Sequence, residues 1–422
     1  MCGIVGYIGP RDAAPILLEG LARLEYRGYD SAGIALVTAA GDLFVEKKAG
    51  KLANLRTALV DATPAAAIGL AHTRWATHGR PNDLNAHPHV DCSGDITVIH
   101  NGIIENFQEL RDGLAARGHH LASETDTEAL AHLVEEAYAG DLAAAVRAAL
   151  AQADGAYAVA VMHRGEPGRL VGARLNVPLI VGLGDGESFL ASDVAAVLAH
   201  TNRVVFLEEG DVADLTAVGV TITGVDGVPR ERLVNVIDWS IEAAEKGGYA
   251  HFMLKEMHEQ PGAIRAAMAG RLHGDEVRVD ELAPIADRLA AIERIELVAC
   301  GSAHYAAAVA GYLFQDWLGI PVRNTVGSEF RYSPPPLDER TMVVAVTQSG
   351  ETADTIAPTR YAREQGCPVI AVTNTVGSAI TRAAYAVLFL QAGPEIAVVA
   401  TKTFVTQVTT LVLLGAALAK AR

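Results

Sequence analysis

Four apolar runs in the last third of the chain, IELVAC (295–300), TMVVAVT (341–347), PVIAVTN (368–374) and AVLFL (386–390), lack polar alternation. A strand that is apolar on both faces needs cover on both faces, which helices on either side of a parallel sheet provide. The intervening stretches supply those helices: GSAHYAAAVAGYLFQDWLG follows the first run and QSGETADTIAPTRYAREQG the second. The pattern predicts a doubly wound, flavodoxin-like α/β parallel-sheet domain over 286–422.

The first 239 residues read differently. IVGYIG (4–9), AGIALVT (32–38), AIGLAHTRWA (67–76) and DITVIHNG (95–102) read as strands. PILLEGLARLE (15–25), NFQELRDGLAARG (106–118) and TDTEALAHLVEEAYAG (125–140) carry helical spacing. Further short strands joined by Gly and Pro turns follow, so residues 2–239 are expected to form an α+β layered domain of antiparallel sheets sandwiched with helices. The segment DWSIEAAEKGGYAHFMLKEMHEQP (238–261) is polar, contains Gly-Gly and ends in Pro. Residues 240–285 are read as a linker and leading helix.

Composition removes several function classes. The formal charge is −16, a surface that phosphate backbones repel, so no nucleic-acid partner is expected. Cys2, Cys92, Cys300 and Cys367 are far apart and form no C-x-x-C. Neither a zinc site nor a disulfide framework is indicated; reduced thiols fit a cytoplasmic protein. The start has no basic n-region and no long apolar core, so no signal peptide is expected. Only FVTQVTTLVLLGAALA (404–419) raises a membrane question; it is short for a span of ~20 residues and carries Gln407. It is read as a buried packing or subunit-contact helix, with no membrane association.

The amino end carries chemistry. The chain opens MCGIVGYIGP. If Met1 is removed, Cys2 bears both a thiol and a free α-amine, with ordinary pKa values near ~8.5 and ~7.7–8.0, so a proton passes between them at little cost. Taken alone, Cys2 reads more readily as a buried structural thiol than as a nucleophile. AHTRWATHG (71–79) offers Arg74, Thr77 and His78, and Arg suits a fork-like clasp on a carboxylate. In HNGIIEN (100–106), Asn101 offers an amide and Gly102 an unobstructed N–H, the parts of an oxyanion hole, although Asn-Gly is also a turn signal. Asp126 in SETDTE (123–128) could hold an ammonium group or cap a helix. HPH (87–89) and HH (119–120) could suggest a metal, which would need further His or Asp ligands at suitable spacing, but a free nucleophile explains the region better and no catalytic metal is expected.

Taken in order, CGIVGYIG, EYRGYDSAG (25–33), AHTRWATHG, NAHPH (85–89), HNGIIEN and SETDTE resemble the class II, N-terminal-nucleophile (Ntn) glutamine amidotransferases. More narrowly they resemble the isomerising glutamine–fructose-6-phosphate aminotransferases. The resemblance implies that Cys2, freed of Met1, attacks the side-chain amide of L-glutamine while Asn101 and Gly102 stabilise the oxyanion. It implies Arg74, Thr77 and His78 on the substrate carboxylate, Asp126 on its amine, and Trp75 as the gate for ammonia. It implies fructose 6-phosphate as acceptor, a homodimer and no cofactor.

In the second domain, ACGSAHY (299–305) and TQSGETADT (347–355) each follow a strand and open a helix, where N–H groups and the helix dipole suit an anion. Ser302, Thr347, Gln348, Ser349 and Thr352 can donate to a sugar phosphate. With EFRY (329–332) and EIAVVATKTF (395–404), these motifs resemble a sugar isomerase (SIS) domain. Thr347 stands where the family usually has Ser, Ser302 where Thr is common, and Ala303 where Ser is common. The family carries two SIS domains, so the chain is expected to be a fragment holding the glutaminase half and the first SIS domain. Two other readings stay open: a glutaminase feeding another acceptor, and a sugar-phosphate sensor.

Overall fold

The computed structural model describes residues 2–25, 28–60, 62–76, 78–237 and 246–421. The chain divides into two compact units, Met1–Ile241 and Glu242–Arg422.

The first unit begins with β1 (Gly3–Ile8), α1 (Ala13–Leu24), β2 (Ser31–Thr38), β3 (Leu43–Ala49), α2 (Leu52–Leu59) and β4 (Ala66–Arg74). Next come β5 (His89–Val90), β6 (Ile96–Ile104), α3 (Phe107–Ala116), α4 (Asp126–Ala137) and α5 (Leu142–Leu150). The unit closes with β7 (Gly155–His163), β8 (Leu170–Leu175), β9 (Ile180–Leu183), β10 (Ser188–Ala191), β11 (Arg203–Phe206), β12 (Asp211–Thr216), β13 (Gly219–Gly224) and β14 (Val234–Val236). An eight-stranded sheet runs β14-β11-β9-β10-β1-β4-β2-β3 and a six-stranded sheet runs β13-β12-β8-β7-β6-β5.

The two sheets face each other. Ile4, Ile8, Ile68 and Leu70 of the first pack with Ile99, Ala158, Ala160 and Met162 of the second in one buried cluster. The opposite faces are also covered. Ile96, Val98, Val159 and Val161 pack under Leu130, Leu133 and Val146 of α4 and α5. Over β1 and β4, a side chain at Gly20 of α1 would meet Val5, and one at Gly69 would meet Leu17. The result is a helix–sheet–sheet–helix sandwich, the layered α+β domain the residues imply. Because a strand alternates faces, Asn101 points with Ile99 toward the first sheet while His100 points with Val98 toward α4.

The second unit contains α6 (Phe252–Met268), β15 (Leu272–His273), β16 (Glu276–Val277), β17 (Arg294–Ala299), α7 (Gly301–Leu318) and β18 (Val322–Val326). It continues with α8 (Gly327–Tyr332), β19 (Thr341–Thr347), α9 (Ala353–Glu364), β20 (Val369–Thr373), α10 (Ala379–Ala383), β21 (Ala386–Phe389) and α11 (Lys402–Ala421). Five strands form a parallel sheet in the order β18-β17-β19-β20-β21. Phe314, Leu411 and Leu414 cover one face of it, and Phe330, Ala362, Ile356 and Ile380 the other. This is the flavodoxin-like order, with its switch point between β17 and β19.

Two local features depart from the sequence pattern. Pro261 does not end its segment; α6 runs through it to Met268. The carbonyl that loses its partner belongs to Met257, which is 50% exposed, so water can satisfy it. The polar edge strand VRNTV of β18 has no continuous apolar run and escaped notice for that reason. Part of the 240–285 linker, 240–245, lies outside the described residues. The helix α11 is long and apolar enough to cross a membrane by composition alone. Here Leu411, Leu414 and Leu418 close the core of the parallel sheet.

Candidate active site

Cys2 immediately precedes β1, an inner strand flanked by β10 and β4. The antiparallel register Gly3↔Thr73 brings Cys2 beside the end of β4. There the Trp75 N–H donates to Cys2 Sγ at 3.1 Å, and Sγ lies 3.5 Å from the Trp75 carbonyl. Burial pushes the Cys2 thiol pKa up, against the opposing pull of the Trp75 N–H. A protonated thiol needs a base before it can attack carbon.

From the facing sheet, Asn101 Nδ2 donates to the Cys2 carbonyl at 3.0 Å. Its Oδ1 lies 2.9 Å from His72 Nε2, which is also 3.1 Å from the His100 carbonyl. Both neighbours of Nε2 are acceptors, so the proton sits on Nε2. Burial lowers the His72 pKa to about 3, so the imidazole is neutral at pH 7. His72 thus fixes which end of the Asn101 amide faces Cys2. Gly102 has φ +130°, and a Cβ there would lie 1.9 Å from the Ala156 carbonyl oxygen. Only glycine fits, and it leaves the backbone N–H uncovered.

Arg74 ends β4 and is 4% exposed. Its Nη2 donates to the His78 carbonyl and, at 3.3 Å, to the Gly79 carbonyl. Among the described residues its Nη1 is buried without a partner. Burial lowers the guanidinium pKa, offset by Cys2, Asp126 and Asp30 nearby. An unpartnered buried guanidinium N–H calls for an anion. The His78 ring sits edge-on to Phe107 at 4.9 Å. Thr77 lies outside the described residues. Asp126 opens α4, and its Oδ2 accepts from the Ile104 N–H at 2.9 Å, tying the helix start to the end of β6.

Trp75 is 42% exposed and meets Tyr29 edge-on at 5.2 Å. The loop beneath it is held by Ala76 N–H to Asp30 Oδ2 at 2.8 Å. The histidines of HPH belong to a buried network. His87 Nδ1 accepts from the His100 N–H at 3.2 Å, and His89 Nε2 lies 3.0 Å from Thr125 Oγ1. His100 Nδ1 lies 2.9 Å from Thr127 Oγ1, and the His72 and His87 rings stack at 4.2 Å. Burial pushes His87, His89 and His100 below the ordinary histidine range. His72, Thr127 and Asp30 were not anticipated. The available signal was spacing: His72 and Arg74 share a face of β4.

In the second unit, α7 and α9 start beside the carboxyl ends of the adjacent strands β17 and β19, at the switch point. Ser302 lies exposed in the first turn of α7. Thr347 Oγ1 lies 3.3 Å from Thr352 Oγ1, and Ser349 Oγ accepts from the Glu351 N–H at 3.2 Å. The Gln348 carbonyl accepts from the Asn374 N–H at 3.0 Å. Gly350 has φ +69°, and a Cβ there would lie 2.0 Å from Ser378 Oγ, so only glycine permits this loop.

A cysteine heading an inner strand of a layered sandwich, facing an amide from the opposite sheet, is the arrangement of an N-terminal-nucleophile amidotransferase. The glutamine amidotransferase domain model matches residues 72–199 and the SIS domain model residues 288–417. The chain is 52% identical over 417 residues to glutamine–fructose-6-phosphate aminotransferase (isomerizing) of Symbiobacterium thermophilum, covering 98% of this chain and 68% of that protein. Against the same enzyme of Streptomyces coelicolor it is 50% identical, covering 100% and 69%. Against that of Thermus thermophilus it is 49% identical, also covering 100% and 69%. The chain belongs to the glutamine–fructose-6-phosphate aminotransferase family.

Proposed function

We propose that the chain hydrolyses L-glutamine at Cys2 and passes the ammonia to fructose 6-phosphate, yielding glutamate and glucosamine 6-phosphate. With Met1 removed, the α-amine of Cys2 takes the thiol proton and sulfur attacks the side-chain amide carbon. The tetrahedral oxyanion is met by Asn101 Nδ2 and the Gly102 N–H. Collapse breaks the C–N bond, the amine returns its proton to the departing nitrogen, and a γ-glutamyl thioester remains. Water, deprotonated by the same amine, then cleaves the thioester and restores the thiol. Arg74, with Thr77 and His78, holds the substrate carboxylate, Asp126 its amine, and Trp75 gates the departing ammonia. Ser302, Thr347, Gln348, Ser349 and Thr352 bind the sugar phosphate at the two helix starts.

The observation that carries this reading is the pairing of Asn101 with Cys2 while a buried edge of Arg74 stands open. The same reading makes the protein a cytoplasmic homodimer. Four free thiols support the compartment. The exposed stripe Tyr305, Val309 and Tyr312 along α7 supports a subunit contact. Intact mass of active enzyme, with glutamate release by Cys2→Ala, tests the mechanism. Loss of Met1 and an inactive variant are expected; methionine retained in active protein, or an unaltered variant, refutes it.

A further inference from the structure

Away from the glutaminase site, four potential ligand atoms converge: Cys92 Sγ, His119 Nδ1, His132 Nδ1 and a Glu135 carboxylate oxygen, all within 4.8 Å of one another. We propose that Cys92, His119, His132 and Glu135 form a closed, four-coordinate structural Zn²⁺ site. The shape of the cluster carries the assignment. A tetrahedral ion with bonds of about 2.0–2.1 Å to N and O and about 2.3 Å to S sets N···N and N···O edges near ~3.3 Å and S···N edges near ~3.6 Å. The observed edges are 3.3 Å between the two Nδ1 atoms, 3.2 Å from each Nδ1 to Glu135 Oε2, and 3.6 and 3.5 Å from Sγ to the two Nδ1 atoms.

Protons alone fit this geometry poorly. A proton satisfies one edge of the polyhedron, whereas five edges sit at contact distance between atoms that all offer lone pairs. A central dication satisfies all four, and one thiolate with one carboxylate balances its charge. Soft sulfur with imidazole selects zinc over the hard cations. The surroundings hold the ligands in place. His119 Nε2 lies 3.2 Å from Glu136 Oε1, the carboxylate–histidine pairing that orients a metal-bound ring. The Cys92 N–H donates to Glu135 Oε2 at 3.2 Å, and the His120 N–H points to Cys92 Sγ at 3.5 Å.

The sequence hides this site because its ligands are scattered. Cys92 lies in the turn between β5 and β6, His119 in the segment after α3, and His132 and Glu135 one turn apart on α4. The ion would tie the turn leading into β6, the strand that carries Asn101, to α4, which carries Asp126.

The test uses the full chain from zinc-supplemented cells, desalted into metal-free buffer. Elemental mass spectrometry is expected to find about one zinc per chain, and chelation to lower the first unit's melting temperature by several degrees. Replacing zinc with Co²⁺ should give the tetrahedral d–d bands and a thiolate-to-cobalt charge-transfer band, with only the latter lost in Cys92→Ser. His132→Ala should hold less than about a fifth of the wild-type metal. No metal in the wild-type chain, or no cobalt–thiolate band, overturns the site whether or not the variants fold. Equal zinc in Cys92→Ser, His132→Ala and wild type overturns it too, since metal would then sit elsewhere.

Discussion

His72 touches neither sulfur nor the position of the amide, yet it is expected to control the rate. Its Nε2–H is the donor that Asn101 Oδ1 receives, at 2.9 Å, while Nδ2 faces the Cys2 carbonyl at 3.0 Å. His72→Phe keeps a ring against His87, now stacked at 4.2 Å, but removes the donor. Two limits bracket the effect. If the amide stays put, one buried hydrogen bond is lost, about 0.5–1.5 kcal/mol or roughly 2- to 13-fold. If it turns over, an acceptor replaces the proposed oxyanion donor, costing about 2.7–4 kcal/mol or 100- to 1,000-fold in kcat. The expected loss lies toward the upper limit, because the orphaned Oδ1 is buried and rotation is its simplest escape. KM for glutamine should hold, since the proposed glutamine clasp, Arg74 and Asp126, is untouched. Steady-state glutaminase kinetics on His72→Phe, Asn101→Ala and the double variant decide it. The double variant should be no slower than Asn101→Ala. Losses that multiply, or a raised KM with normal kcat, would refute a positioning role.

Three further outcomes are expected. His72 has a folded pKa of about 3 against 6.5 unfolded, so the unfolded chain binds more protons below pH 6.5. Its stabilising contribution is complete above 6.5 and falls by about 1.4 kcal/mol per pH unit toward pH 3, which urea midpoints of wild type and His72→Phe, compared between pH 7 and 4.5, will show as a shallower slope in the variant. Gly102→Ala puts a methyl 1.9 Å from the Ala156 oxygen, so β6 and β7 must part, and glutaminase activity should drop by at least ~100-fold with a lowered melting temperature. In the second unit, Glu256 is 2% exposed and accepts from Ile396 N–H, Ala397 N–H and Thr401 Oγ1 at 2.7, 2.8 and 2.7 Å. Glu256→Ala strands those donors at about 1 kcal/mol or more each, and calorimetry should find that unit melting roughly 6 °C lower or more.

The parallel sheet was legible because its inner strands are apolar on both faces, and Leu297, Val344 and Ile370 can sit nowhere else. The sandwich was legible from its longer strands, whereas Cys2, Arg74, Asn101 and Asp126, each with a structural reading of its own, were singled out only because six motifs in order resemble a known family. What escaped was relational. His72 reads as one more inward residue of β4 until the facing sheet brings Asn101 to it. VRNTV looks like a loop until β17 pairs with it at the edge. Cys92, His119, His132 and Glu135 span more than forty positions and meet only through the turn of β5 into β6.

The strand β1 is gripped by β4 from Gly3 onward and by β10 from Val5 onward. An end that usually trails in solvent is therefore built into the middle of a sheet. On the proposed mechanism, a leading affinity tag would leave a protein that folds, melts normally and never turns over glutamine.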